Sequence, residues 1–442
     1  MEINRAHTSI SGVAGNKKSA NLTTEKSEII DRWKPVDTKN TPLTPDMKNV
    51  ASSPGGREEV EAQVKEPETR TADFLFQTNF APEKIWTFDE PNREVGGKPL
   101  IDEDGSIYFG SGDYNFYHID RDGKMLWKKN LGGDIYSGPA KSAKGNILVS
   151  SADNRVYAYS PDGKKMWNFS TDGAITDSPV VDGDGNVYTA SVDGKMYALT
   201  PKGDKKWEYQ CDGTPTAPLL DDEGNLYFAD VNGGIHSLDK DGNVRWEKNF
   251  EGNENIWETP ILGADGKLYG GSSQGKVYCY DTKTGNEEWN VETNWSIDSR
   301  LLYTSQGDVI AGNQDGSLYC IDTKKHSIRW KFDPEGFGMR HPVENDMGNI
   351  YAVGDKSLYC VSPDGLPLWK MELDKDIKSP LAFSSDRKII YAGLEDGSVI
   401  ALRRKDTAEA MQGEKSGKAG KIEEKDGWII IGGVRLRKRE NN

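Results

Sequence analysis

Eight tryptophans, Trp86, Trp127, Trp167, Trp207, Trp246, Trp289, Trp330 and Trp369, follow one another at steps of 41, 40, 40, 39, 43, 41 and 39 residues. A pitch of roughly 40–50 residues marks a chain of like units, none of which can bury its own apolar face alone. The third unit reads SPVVDGDGNVYTASVDGKMYALTPKGDKKW over residues 178–207. Short runs rich in β-branched and aromatic residues alternate there with Gly-Asp-Gly-Asn, Asp-Gly and Pro-Lys-Gly turns. These are hairpin signals, and no window carries a helical period. Four short antiparallel strands per unit make a propeller blade.

The first strand of a unit is marked by Pro99, Pro139, Pro179, Pro218, Pro260, Pro342 and Pro380, with Arg300 standing for proline in the sixth unit. That gives eight units. The tryptophan strand also occurs eight times, but Trp86 precedes the first marker and no tryptophan strand follows Val399-Ile400-Ala401-Leu402. The expected fold is therefore all-β: an eight-bladed propeller of four-stranded antiparallel blades. Residues 85–88 would supply the outer strand of the last blade, pairing the two ends of the ring and removing two exposed edges. One large ring per blade, packed between adjacent sheets, reads as a structural staple rather than a stacking site for bases or sugars.

Four segments are expected along the 442 residues. Residues 1–80 are rich in Ser, Thr, Lys, Glu and Pro and poor in aromatics, a composition that favours disorder. Residues 81–404 form the propeller. Residues 405–425 read as a flexible linker, and 426–442 (DGWIIIGGVRLRKRENN) as a short β-forming basic tail, a hairpin or a strand offered to another sheet edge. The formal charge of −15 argues against a nucleic-acid partner, and no apolar stretch is long enough for a spanning helix. The first twenty residues lack the apolar core of a secretory signal. The expectation is a monomer that is cytoplasmic, or exported by a leaderless route.

Cys279, Cys320 and Cys360 fill one slot of three successive units, where other units carry Ala158, Ala198, Ser237 and Ala401. A position that accepts Ala, Ser or Cys is a small buried strand site, so free thiols are expected, and neither a disulfide nor a metal cluster. The five histidines show no ligand spacing. Asp182, Asp184 and Asn186 form the best candidate cation loop. Turn propensity explains the same residues, and sister turns carry Ala143-Lys144-Gly145 or Ser305-Gln306-Gly307.

The unit pattern, a first-strand Pro, a VY-x-x-S-x-DG-x-x-YAL centre and a G-x-x-x-W close, resembles the pyrroloquinoline-quinone-type propeller repeats over residues 85–402. Within that superfamily the chain looks like the shorter, non-enzymatic members, including the BamB-like scaffolds of bacterial outer-membrane assembly. Quinone dehydrogenases of the superfamily carry an adjacent Cys-Cys pair and long inserted loops. This chain has neither, so no cofactor is expected.

One slot varies from unit to unit. Two residues before each first-strand marker stand Gly97, Ser137, Asp177, Thr216, Glu258, Asp298, Arg340 and Lys378. In a propeller this slot lies at the mouth of the central channel, with acid on blades 3, 5 and 6 and base on blades 7 and 8. Tyr136, Trp257, Met339 and Arg300 flank it, and exposed aromatics and arginine favour interface hot spots. The expected function is a non-catalytic scaffold that binds a protein or peptide at this mouth, through Tyr136, Asp177, Trp257, Glu258, Asp298, Arg300, Arg340 and Lys378. The alternative is a small molecule, polysaccharide or ion held in the central funnel.

Overall fold

A computed structural model describes residues 81–249, 258–334 and 338–405, together with the backbone of 423–425, 428–431 and 434–437. Eight four-stranded antiparallel sheets follow one another, seven of them running in chain order from first strand to fourth. Blades 1 to 7 span 100–130, 140–170, 180–210, 219–249, 261–292, 302–332 and 340–372. Blade 8 takes its first three strands from 382–403, and Glu83–Phe88 completes it by pairing with Val399–Arg403. Among the described residues no helix is long and apolar enough to cross a membrane.

The burial pattern follows from the layering. Second and third strands, such as Val187–Ser191 and Lys195–Leu199, are buried along most of their length because a neighbouring blade covers each face. Outer strands such as Lys205–Gln210 alternate between exposed and half-buried. The apolar clusters therefore bridge blades. Tyr188, Met196 and Cys211 of blade 3 pack with Leu226, Phe228 and Leu238 of blade 4. At the seam, Phe88, Tyr391 and Val399 pack with Ile107, Phe109 and Tyr117 of blade 1.

The tryptophans act as interblade pegs. Nε1 of Trp86, Trp127, Trp167, Trp207, Trp246 and Trp330 donates to a turn carbonyl on the following blade, at 2.9 to 3.1 Å. The ring lies on the glycine of that turn. A Cβ on Gly203 would stand 2.7 Å from Trp167, and its φ is +86°. Two seams depart from this pattern. Trp289 stacks on His326, at 4.9 Å and 19°, which holds a left-handed φ of +52° where the other turns use glycine. Trp369 faces blade 8, which has no turn from third to fourth strand because its fourth strand comes from the other end of the ring. There the guanidinium of Arg404 donates to Tyr351 Oη (3.0 Å), Asp346 (2.6 Å) and the Arg387 carbonyl (2.6 Å).

All four cysteines are buried, and none is in a disulfide. Cys279, Cys320 and Cys360 stand opposite Trp289, Trp330 and Trp369, as Ala158, Ala198, Ser237 and Ala401 stand opposite their own tryptophans. In blade 1 the same slot holds His118, which stacks on Tyr108 with centroids 3.9 Å apart. The segments 428–431 and 434–437 pair as a hairpin, and 423–425, expected in the linker, adds a third strand. The disorder expected for residues 1–80 and the linker 406–422 lie outside the described residues.

Candidate functional site: a polarised collar at the channel mouth

Blade-to-blade linkers and the turns between second and third strands share one face. Ile135 N donates to Ser111 O, and Gly112 N donates to Glu94 O at 3.0 Å. Turns between first and second strands share the opposite face with those between third and fourth, since a Cβ on Gly105 would touch Arg121. Each first strand starts at the linker face, so the residues just before it form a collar at that end of the channel.

Strand register sets the collar's alignment. Leu100, Ala140, Val180, Leu219, Ile261, Leu302, Val343 and Ala382 are equivalent, each pairing with the second strand of its blade in the same way. Counting back two residues gives one ring: Lys98, Gly138, Ser178, Ala217, Thr259, Arg300, His341 and Pro380. One residue earlier stand Gly97, Ser137, Asp177, Thr216, Glu258, Ser299, Arg340 and Ser379.

Two markers read from the sequence are corrected by this register. Leu301, only 6% exposed, fills the proline slot of blade 6, and Leu381 fills it in blade 8. Arg300 and Pro380 therefore sit one position nearer the mouth, in the inner ring. Asp298 and Lys378 move out to the rim. Asp298 accepts hydrogen bonds from Ser296 and Gln314, and Lys378 pairs with Asp376 at 3.3 Å. Blade 7 is one residue shorter between Met339, which packs against Gly312, and Pro342. His341 absorbs that difference with a φ of +54°. Trp257 lies outside the described residues.

The two halves of the collar differ in chemistry. From blade 2 to blade 5 the inner ring is small, neutral and stitched together. Gly138 N donates to Ser178 Oγ (2.9 Å), Ala217 N donates to Asp177 Oδ2 (3.0 Å), and Thr259 Oγ1 donates to Ala217 O (3.1 Å). From blade 6 round to blade 1 it carries Arg300, His341 and Lys98, with Arg340 beside them. Among the described residues Lys98 and Arg300 form no hydrogen bond or ion pair, and the buried Nε of Arg340 has no partner.

Burial acts on several of these groups. It pushes the Asp177 carboxyl up to about 6. It pushes Glu258 up to about 8, with the neighbouring Asp177 adding to the shift. Burial and the nearby Arg300 and Arg387 lower Lys98. His341 falls to about 3 through burial and Arg340, so it is neutral. Tyr136, half-buried beside Asp134, is held up at about 12.

Outside the collar, the linker face exposes Trp295 (56%), Val231 (39%) and Tyr114 (38%). The Trp295 carbonyl accepts from Asn313 Nδ2 at 2.7 Å, so an exposed indole stands on a pinned backbone. The sequence reading passed over both Trp295 and Lys98. Aligning units on the buried Val95, Ile135, Ile175, Ile297 and Ile377, instead of on the prolines, puts Arg300 in line with Lys98.

Three other polar groupings have local explanations. Asp182 accepts from Asn186 N (2.8 Å), Asn186 Nδ2 (2.7 Å) and Tyr188 Oη (3.0 Å), so its oxygens are committed to the turn. No three His, Cys, Asp or Glu side chains among the described residues are arranged to hold a metal ion. In blade 4 His236 Nε2 lies 2.7 Å from Asp230, both fully buried. This replaces the tyrosine–aspartate bond of sister blades, such as Tyr197 to Asp193 at 2.7 Å. A cavity of about 50 Å³ between blades 2 and 3, beneath Trp167, is too small for more than a water or two.

The family model for the outer membrane protein assembly factor BamB matches residues 82–212, 112–332 and 314–419. The chain belongs to the BamB family. The BamB crystal structure from Moraxella catarrhalis superposes with a TM-score of 0.63 at 17% identity, covering 73% of this chain and 99% of that one. The computationally designed Ika8 protein superposes with a TM-score of 0.62 at 12% identity, covering 73% and 99% respectively. At such identities both likenesses speak to the fold alone. No curated protein matches the sequence. The BamB-family assignment fits the ring of repeats, while the collar's charges are read from this chain's own residues.

Proposed function

We propose that this BamB-family propeller is a non-catalytic docking platform whose partner, a protein or peptide, engages the linker face at the channel mouth. The observation that carries this reading is the polarised collar, where Lys98 and Arg300 stand without a hydrogen bond or ion pair among the described residues and burial pushes the Asp177 and Glu258 carboxyls towards the neutral acid. Uncompensated cations facing a shared opening favour a partner of complementary charge. Trp295, exposed on a fixed backbone beside this mouth, supplies the kind of rigid aromatic anchor that interfaces use. The family's description as an assembly factor is in keeping with a scaffold role.

Charge reversal tests the reading. Arg340→Glu with Lys378→Glu should weaken a partner identified by pull-down about tenfold or more. The effect should shrink at high salt, because screening shortens the reach of the collar's field. Asp184→Lys with Asp222→Lys, both exposed on the opposite face, should leave affinity within about twofold. Titration calorimetry at two salt concentrations reads both. Equal losses from the two pairs would remove the mouth's claim to be the site.

A further inference from the structure

Lys98 and Arg300 stand at one level of the collar, three blades apart, with His341 and Pro380 between them. The facing residues of that ring, Gly138, Ser178, Ala217 and Thr259, are small and neutral, so the lumen is open on the side the two cations face. A Cβ at Gly138 would stand 2.8 Å from the Lys98 carbonyl, so that stretch of wall is closed by backbone packing. Neither cation has an ion-pair partner among the described residues. Glu258 is the acid whose charge acts on Arg300. Burial pushes its carboxyl up to about 8, and it makes no hydrogen bond or ion pair with the guanidinium among the described residues. Arg300 in turn disfavours the charge on Lys98, and a single anion between them relieves both.

We infer that the docking partner seats an acidic side chain in the channel, its carboxylate held between Lys98 and Arg300. This rests on the docking reading above and specifies the chemistry of the inserted group. The guanidinium presents a planar fork that fits a carboxylate through two N–H donors, and the ammonium adds a point charge. A polyanion such as nucleic acid is a poorer occupant, because the chain's formal charge of −15 repels it at long range.

The probe is a fluorescein-labelled hexapeptide of alternating Gly and Glu, compared with its Gly and Gln counterpart by anisotropy at low salt. The Glu peptide should bind the wild-type chain at least tenfold tighter than the Gln peptide. The double variant Lys98→Met, Arg300→Met should bring both peptides to the same weak level. Lys205→Met, on the outer strand Lys205–Gln210 of blade 3 where the lysine pairs with Glu208, should change neither. If the double variant fails to fold, Arg300→Gln alone, with an unchanged melting temperature, carries the test.

Equal binding of the two peptides to wild type would overturn the inference. So would undiminished binding of the Glu peptide by a folded variant. Competition by succinate at the same carboxylate concentration, as effective as the peptide itself, would mark a free-anion site and overturn the docking form. These failures are distinct from failure of the docking reading, which is scored separately by the Arg340 and Lys378 reversals on an identified partner.

Discussion

Glu258 and Asp177 hold carboxyls where burial favours the neutral acid. An unfolded glutamate titrates near 4.3. Folded Glu258, raised to about 8, binds its proton more tightly than the unfolded chain does. Its contribution to stability is thus fully present below about pH 4.5 and is lost as pH rises towards 8. Glu258→Gln should remove this dependence. The variant should melt a few degrees above wild type at pH 8.5 and close to it at pH 4.5, by calorimetry across that range. A wild-type melting temperature that rose from pH 5 to pH 8 in step with the variant's would contradict the raised carboxyl. The charges at these positions were legible in the sequence, but their environment was not. Nothing in Trp257-Glu258-Thr259 says that Asp177, eighty-one positions earlier, shares the same wall. His118 gives the same lesson. It reads as an ordinary strand histidine, yet it occupies the slot that other blades give to Ala, Ser or Cys, with both ring nitrogens buried and without partners.

At the scale of strands and turns, the sequence was legible wherever a unit kept its punctuation. The Asp-Gly and Pro-x-Gly turns, the tryptophan strand and the small slot opposite it all fall as the repeat implies. Misreading came where punctuation changed. The sixth and eighth units lack proline at the register position, and counting from the nearest available marker shifted Asp298, Arg300 and Lys378 by one residue. In a strand, one residue exchanges one face for the other. The seam between blades 7 and 8 shows how an element compensates for a missing turn. Arg404 is buried, lies over the rings of Tyr351 and Phe383, and donates to partners on both blades. Hydrogen bonds that involve a charged group are each worth about 1.5–3 kcal/mol. Asp346 is 44% exposed and can turn to water when its partner goes, which lowers the cost. Arg404→Ala should therefore destabilise the chain by about 2 kcal/mol or more. Arg404→Lys, which keeps the charge and loses the fork, should fall between. Urea denaturation followed by tryptophan fluorescence checks this, and a loss below about 0.5 kcal/mol for Arg404→Ala would mean that the clamp adds little.

The ring as a whole is a one-dimensional stack whose first and last units touch, and closure was the architectural statement that the sequence supported best. It followed from a mismatch in counting: eight tryptophan strands and eight first-strand markers, offset by one. The repeat slot already showed a polarised mouth; what it could not supply is which side chains share one level of the collar, because strand register, and not the nearest proline, puts Arg300 in line with Lys98. Closure makes the N-terminal strand a structural part of blade 8. Trp86 lies on Gly123 of blade 1, and Phe88 packs edge-on to Phe109 and Tyr117, each at 5.9 Å. Removing residues 1–90 takes both rings away and bares the edge of Val399–Arg403. Deleting a large buried aromatic typically costs about 3–5 kcal/mol. Each kcal/mol moves the melting temperature of a large domain by roughly 2–4 °C. The truncation lacking residues 1–90 should therefore melt about 10 °C or more below the full chain and associate in a concentration-dependent way, because an unpaired edge recruits another strand. The truncation lacking residues 1–78 keeps the strand whole and should melt within about 2 °C of the full chain. Scanning calorimetry and light scattering on the two proteins decide the matter: coincident melting curves would mean that the ring holds without its clasp.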